Sequence, residues 1–160
     1  MRAIFFTKTK PMNTMSELRE DAREMAEKAI AELRDNGIDH IVLETYRPQG
    51  VQDAYYAQGR YSYDVIKDLR QKEGLPPISH EEAKRKVTQT KKSKHTERIA
   101  IDIVPVLSNG TIPWNIKDAS TAALWMSIAE VMKKHGFEWG GDWAPKDRWG
   151  IGWDPAHYEI

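Results

Sequence analysis

The stretch Ile99-Ala-Ile-Asp-Ile-Val-Pro-Val106 constrains the fold more than any other part of the chain. Ile99, Ile101 and Ile103 alternate with Ala100, Asp102 and Val104, the two-residue period of a strand with a buried face. Asp102 falls on the face opposite the three isoleucines, in the middle of this apolar segment. A carboxylate there is costly to bury unless a cation or hydrogen-bond donors pair with it. The strand therefore places a sheet in the core and demands a charged partner from elsewhere in the chain. An arginine would meet that demand, and so would a metal.

The segments around this strand read as an alternation of helices and short extended pieces. Thr14 to Asn36 is amphipathic, with Met15, Leu18, Ala22, Met25, Ala29 and Leu33 at three- and four-residue steps. Thr14 with Glu17 forms a capping box at its start, and Gly37 is a natural stop. His40 to Tyr46 is rich in β-formers and runs into Arg47-Pro48. Pro48 disfavours helix at Arg47, which puts that arginine at a strand end facing a loop. Val51 to Gln58 reads as a short helix closed by Gly59, and Arg60 to Pro77 as irregular, with a Gly-Leu-Pro-Pro break at 74–77. Ser79 to Val87 reads as another short helix, with Ser79 and Glu82 as its capping box. Asn109-Gly110 marks a tight turn and predicts a hairpin leading to Ile112 and Trp114. Ser120 to His135 is the second long helix, stopped by Gly136. The sequence shows no internal repeat, low-complexity tract or linker. The expectation is a single compact α+β domain over residues 1–160, a small antiparallel sheet packed against two longer helices.

Composition narrows the chemistry. The 24 Lys plus Arg equal the 24 Asp plus Glu, so no global field points to nucleic acid or to an anionic membrane. With no cysteine, disulfides and thiolate metal sites are excluded, and any metal must be held by His, Asp or Glu. Those ligands suit a catalytic site better than a structural one. Met1 to Lys8 holds only a short apolar run before charges resume, too short for a secretory signal. No stretch approaches the roughly 20 apolar residues of a membrane span. The expected product is a monomer made in the cytoplasm without a signal peptide and without a membrane partner.

Two strings carry the candidate site. Ser93-Lys-His95 precedes the strand bearing Asp102, and Asp154-Pro-Ala-His157 lies near the C-terminus. A catalytic zinc takes three protein ligands of N or O type and keeps its fourth position for water. His95, Asp102 and His157 can be those three, leaving Asp154 to handle the proton of the water. If residues 95–102 were fully extended, His95 and Asp102 would lie ~23 Å apart on opposite faces, so shared ligation requires a bend at Thr96-Glu97-Arg98. In the second string Asp154 is placed to cap a turn that begins at Pro155, which brings Asp154 and His157 to one side. A strand beyond it would put Glu159 on the face of His157, where it can accept from the nitrogen that does not bind metal. Taken alone, each string also has a plain structural reading: a salt bridge for Asp102, a capped turn for the other.

As a set, Ser93, His95, Ala100, Asp102, Asp154 and His157 resemble the pattern S-x-H-x-x-G-x-A-x-D followed by D/E-x-x-H. That pattern belongs to the zinc D,D-carboxypeptidase/L-alanyl-D-glutamate endopeptidase family (peptidase family M15), which cuts peptidoglycan stem peptides. Upstream, Glu44-Thr-Tyr-Arg47, Gln52 and Tyr56-Ala-Gln-Gly-Arg60 are similar to strings of its endolysin-like branch. The resemblance runs from about residue 40 to the C-terminus. It implies one zinc ion per chain on His95, Asp102 and His157, at the edge of the sheet, with Asp154 as proton carrier. Arg47 would bind a substrate carboxylate or the developing oxyanion, unless it forms a structural ion pair. Gln52 and Ser93 would contact substrate, and Arg60 would brace a loop. It further implies a peptidoglycan hydrolase acting on the L-alanyl-D-glutamate bond, a phage or prophage lysin that reaches the wall after release from the host cytoplasm. The alternatives are a D-alanyl-D-alanine carboxypeptidase or dipeptidase, and a non-catalytic metal-containing binding module.

The sequence departs from the pattern at one point. Arg98 stands where relatives have glycine, and if that glycine has positive φ the bend must be made differently here. Residues 61–90 also form a longer connection than usual, readable as an insert or lid, and no separate cell-wall-binding domain is expected. Outside the site, His40, His80 and His135 lack ligand-like partners. The six tryptophans read as core and rim packing or as the lining of a groove. The basic stretch Lys84 to Lys94 reads as a solvated face.

Overall fold

The structure, a computed structural model, describes residues 12–160. The expectations for Met1 to Lys8 lie outside the described residues. Four short strands form one antiparallel sheet in the order β1-β2-β4-β3: β1 is His40–Glu44, β2 Ala100–Pro105, β3 Glu138–Trp139 and β4 His157–Glu159. Two sixteen-residue helices, α1 (Glu20–Asp35) and α5 (Ala119–Lys134), pack with the sheet. Ala22, Ala26, Ala29 and Leu33 of α1 are buried with Trp125, Ile128 and Met132 of α5, against Ile101 and Ile103 of β2 and Tyr158 of β4. Small alanines on α1 let the helix come close, and the bulk is supplied by Trp125 and Tyr158, both fully buried. No helix among the described residues is long and apolar enough to cross a membrane.

Between β1 and β2 the chain builds a second, smaller layer. Helix α2 (Gln49–Ala57), α3 (Tyr63–Lys72) and the single turn α4 (His80–Ala83) close around Ala57, Ile66 and Ala83. Residues 60–77, expected to be irregular, thus contain a ten-residue helix. Ser62 caps it by accepting from Val65 N–H, and Tyr63, Ile66 and Leu69 make a short apolar stripe. Its end is the break read from the sequence. Gly74 has φ 68°, its N–H bonds Gln71 O, and Leu75 N–H bonds Arg70 O, a Schellman pair that only a left-handed residue allows.

Two other expectations are corrected. Residues 14–36 are not one helix: a turn at Met15–Glu17 precedes α1, and Thr14 makes no capping bond. Leu18 and Arg19 are extended between them, because Leu18 is drawn into the core and Arg19 N–H bonds Arg98 O at 2.8 Å. The turn at Asn109-Gly110 forms, with Leu107 N–H bonded to Thr111 O, but no strand follows it. Pro113 cannot donate to a ladder, and its carbonyl accepts instead from Trp125 Nε1.

Arg98 makes the bend itself. It is the non-glycine residue with positive φ among the described residues, at 63°. A left-handed L-residue costs about 1–2 kcal/mol, and its neighbours offset that. Its guanidinium bonds Glu17 Oε2 at 2.8 Å and Glu17 O at 3.0 Å, and lies 3.7 Å from the centre of the Tyr46 ring. Arg98→Ala keeps the strain and loses those contacts, so it should destabilise by about 1–2 kcal/mol. Arg98→Gly loses the contacts but removes the strain, and should stay within about 1 kcal/mol of the parent. Denaturant midpoints of the two variants measure the difference.

Candidate metal centre and cleft

Antiparallel register places the strand-borne ligands. Asp102 of β2 pairs with His157 of β4 on one side and with Glu44 of β1 on the other. Cross-strand partners leave a sheet on the same face, so these three side chains converge, while Ile101 and Tyr158 pair on the core face. The ligand strands are the two inner strands, which refines the expected position at the sheet edge. His95 arrives from the turn ending at Arg98, whose first bond is Ser93 O accepting from Thr96 N–H. Ser93 Oγ accepts from His95 N–H at 3.2 Å, fixing the histidine at the start of that turn. His157 follows the turn begun by Asp154, whose carbonyl accepts from His157 N–H.

Three donor atoms meet: His95 Nε2 lies 3.0 Å from Asp102 Oδ1, and His157 Nδ1 lies 3.2 Å from each of them. Zinc bonds of 2.0–2.1 Å in a tetrahedron set donor atoms about 3.3 Å apart. The triangle fits that spacing, and two imidazole nitrogens facing one another at 3.2 Å are what a shared cation would reconcile. His157 Nε2 bonds Glu159 Oε2 at 2.7 Å, which fixes the ring and leaves Nδ1 toward the cluster. The other ring, His95, has its Nδ1 3.6 Å from Glu44 Oε1 and without a hydrogen bond. Among the described residues this is the group of His, Asp or Glu placed to hold a metal ion.

The electrostatics follow the same contacts. Burial pushes the Asp102 carboxyl up, but the charge of His95 and the bonds from both imidazoles outweigh it and hold it well below the usual range. Burial opposes charge on His157, and the bonds to Asp102 and Glu159 overcome it, lifting the ring to about 9. Asp154 goes the other way: burial and then the charge of Asp102 push its carboxyl up. Two neighbouring carboxyls are thus driven apart, one locked as an anion and one made more basic, the division of labour an acid–base site needs.

The cluster stands in a cleft of about 630 Å³ that also takes in Arg47, Tyr55, Ser93, Trp143, Trp153 and Asp154. Arg47 donates to Gln52 Oε1 at 2.7 Å and forms a short ion pair with Glu44, while its buried Nε–H has no partner. The structural ion pair read for Arg47 is present, on Glu44, and the side chain also lines the cleft. Gln52 is corrected from substrate contact to support. It is fully buried, its oxygen held by Arg47 and its nitrogen by Thr90 O at 2.6 Å. Arg60 bonds Tyr56 O and Thr88 O and stacks on the Tyr56 ring, bracing the loop before Ser93. Glu44, part of the Glu44-Thr-Tyr-Arg47 string but given no role of its own there, belongs to the site. It ties Arg47 to the His95 side of the cluster, and its spacing of three from Arg47 was the available signal.

A family model described as D-alanyl-D-alanine carboxypeptidase matches residues 86–160. The chain is 28% identical over 137 residues to the peptidoglycan L-alanyl-D-glutamate endopeptidase CwlK of Bacillus subtilis (strain 168), covering 82% of this chain and 70% of that protein. Among solved structures, the LdcB LD-carboxypeptidase aligns with a TM-score of 0.56 at 20% identity, over 89% of this chain. The match spans 58% of the length of that carboxypeptidase. The Serratia marcescens L-Ala D-Glu endopeptidase ChiX aligns with a TM-score of 0.51 at 16% identity, covering 99% of this chain and 95% of that one. At these identities the two structural likenesses bear on the fold.

Proposed function

We propose that this chain is a member of the M15 family of metallopeptidases, which it resembles over residues 86–160, and a zinc-dependent peptidoglycan hydrolase cutting the stem peptide at the L-alanyl–D-glutamate bond. The observation that carries the reading is the triangle of His95, Asp102 and His157 donors in one cleft with Asp154 and Arg47. The choice of bond is supported by the similarity to CwlK over most of the chain and by the Glu44-Thr-Tyr-Arg47 and Tyr56-Ala-Gln-Gly-Arg60 strings.

His95, Asp102 and His157 would hold a zinc ion, which would supply a Lewis acid for the scissile carbonyl and for the attacking water. Asp154 accepts the proton of that water and delivers it to the leaving amine. Burial raises its basicity toward neutral pH, where a proton carrier works best. Arg47, oriented by Glu44 and Gln52, has a second N–H on each terminal nitrogen to give to a substrate carboxylate or to the oxyanion that develops at the carbonyl. Trp143 and Trp153, their ring centres 5.4 Å apart, form the wall beside Asp154.

A lytic role, with the chain acting on the wall after release from a host cytoplasm, accompanies this reading. Incubating the zinc-loaded protein with purified muropeptides and weighing the products tests it. Peptides beginning with D-glutamate are expected. Loss of terminal D-alanine with the L-alanyl–D-glutamate bond intact would overturn the bond in favour of a carboxypeptidase, the reading that the description of the family model favours.

A further inference from the structure

The cleft does not end at the metal ligands. Its lining takes in Arg47, Tyr55 and a second arginine, Arg70 of α3, with Gln58 and Ile78. Arg70 is 8% exposed. Its Nε bonds Pro76 O at 2.9 Å and its Nη1 bonds Gln58 Oε1 at 3.0 Å, both neutral acceptors. None of the ion pairs among the described residues includes it. Glu82, the acid on the same stretch of cleft wall, is held by two bonds from Arg85.

Burying a guanidinium whose hydrogen bonds go to neutral acceptors is expensive, even with its charge also felt by Glu82, and the fold goes to some length to keep it there. The Schellman bond from Leu75 N–H fixes the Arg70 carbonyl, and the turn it closes presents Pro76 O to the side chain. Gln58, itself buried, orients the other edge and ties it to the loop of α4 through Glu82 O. A rigid, desolvated cation at a cleft wall binds an anion well, because little freedom is lost and each hydrogen bond is charge-assisted.

We propose that Arg70 is a second anion-binding point of the same cleft, which holds a carboxylate of the substrate residue beyond D-glutamate. The proposal rests on the stem-peptide reading. In that reading the D-glutamate α-carboxylate sits next to the scissile nitrogen, within the reach of Arg47. The next carboxylate along the peptide belongs to the following diamino acid, and Tyr55 separates the two arginines that receive them. The Arg47 guanidinium lies 5.2 Å from the Tyr55 ring centre, and the charges of Arg47 and Arg70 both act on its hydroxyl. Segment 61–90 would thereby set specificity, since α3 supplies the second arginine.

The test compares two N-acetylated tripeptides, L-Ala–γ-D-Glu–diaminopimelate with its terminal carboxylates free and the same peptide with them amidated. The zinc-loaded full chain is expected to favour the acid by about 10- to 100-fold in kcat/KM, carried by KM. In Arg70→Gln the two peptides should become equal within about 2-fold, while Arg70→Lys keeps part of the preference. Calorimetric binding of both peptides to the zinc-loaded Asp154→Asn chain reads the same preference without turnover. Acid-over-amide binding that Arg70→Gln erases supports the subsite even if the bond cut is a different one. Equal binding of the two peptides by a chain with Arg70 intact, or a preference that survives Arg70→Gln in a folded chain, overturns it. Should Arg70→Gln unfold, Arg70→Lys and the parent decide the matter.

Discussion

Asp102→Ala is expected to lower peptide hydrolysis by about 1000-fold or more, a loss of about 4 kcal/mol of transition-state stabilisation. Asp102 is the one anionic member of the triangle and the partner of both imidazoles. Without it, the two ring nitrogens 3.2 Å apart have no shared counter-charge to bring a cation between them. Metal content by atomic emission should fall in parallel with activity. Glu159→Gln acts one step further out, through the orientation and basicity of His157, and should weaken metal binding by only about 10- to 100-fold. The pH dependence has a definite sign. In the metal-free chain the proton on His157 is retained up to about pH 9. A metal must displace that proton, so its apparent affinity should rise about tenfold per pH unit from pH 6.5 to 8.5. The same raised value stabilises the metal-free fold below about pH 6.5 and withdraws that contribution as pH climbs through about 9. Thermal melts of metal-free protein at pH 6.5 and 9 should therefore show the lower midpoint at pH 9.

Much of this site can be read along the chain because its geometry is local at each end. The parity of residues 99–106 places Asp102 off the isoleucine face. The Asp-Pro start of a turn places His157 three residues after Asp154, and the need for a bend after His95 follows from distance alone. What joins the ends is not local. The Thr14–Glu17 capping signal is genuine chemistry, but it loses to a tertiary bond from Arg19 N–H to Arg98 O, which stops the helix from starting there. Arg98 tolerates the left-handed bend because Glu17 and Tyr46, 81 and 52 positions upstream in the numbering, receive its side chain. Helix α3 escapes a reading tuned to one core because its apolar stripe serves the small second layer around Ile66. Gln52 reads as a substrate contact only while its burial is unknown. Once Arg47 and Thr90 O take both ends of its amide, none of it is left for a ligand.

Asp154→Asn separates chemistry from ligation. Asp154 is outside the donor triangle, so the variant should bind metal at parent stoichiometry and keep the parent fold. The amide cannot accept the proton of the attacking water, and loss of a positioned general base typically costs about 10²- to 10⁴-fold. That loss should fall on kcat, with KM held within a few-fold, because Arg47 and the rest of the cleft still receive the peptide. Asp154→Glu keeps a carboxyl but lengthens it beside Trp153 and His157, and should recover part of the rate. The pH profile gives a further check. With the carboxyl pushed above the ordinary aspartate value, the parent should lose activity as pH falls through that raised value, and the residual rate of Asp154→Asn should lack this limb. A metal-containing binding module without catalysis would behave otherwise: Asp154→Asn would leave peptide binding intact, and neither protein would release product. Equal turnover by parent and variant would instead place the proton transfer on another group, and Glu159, bonded to His157, would be the next to replace.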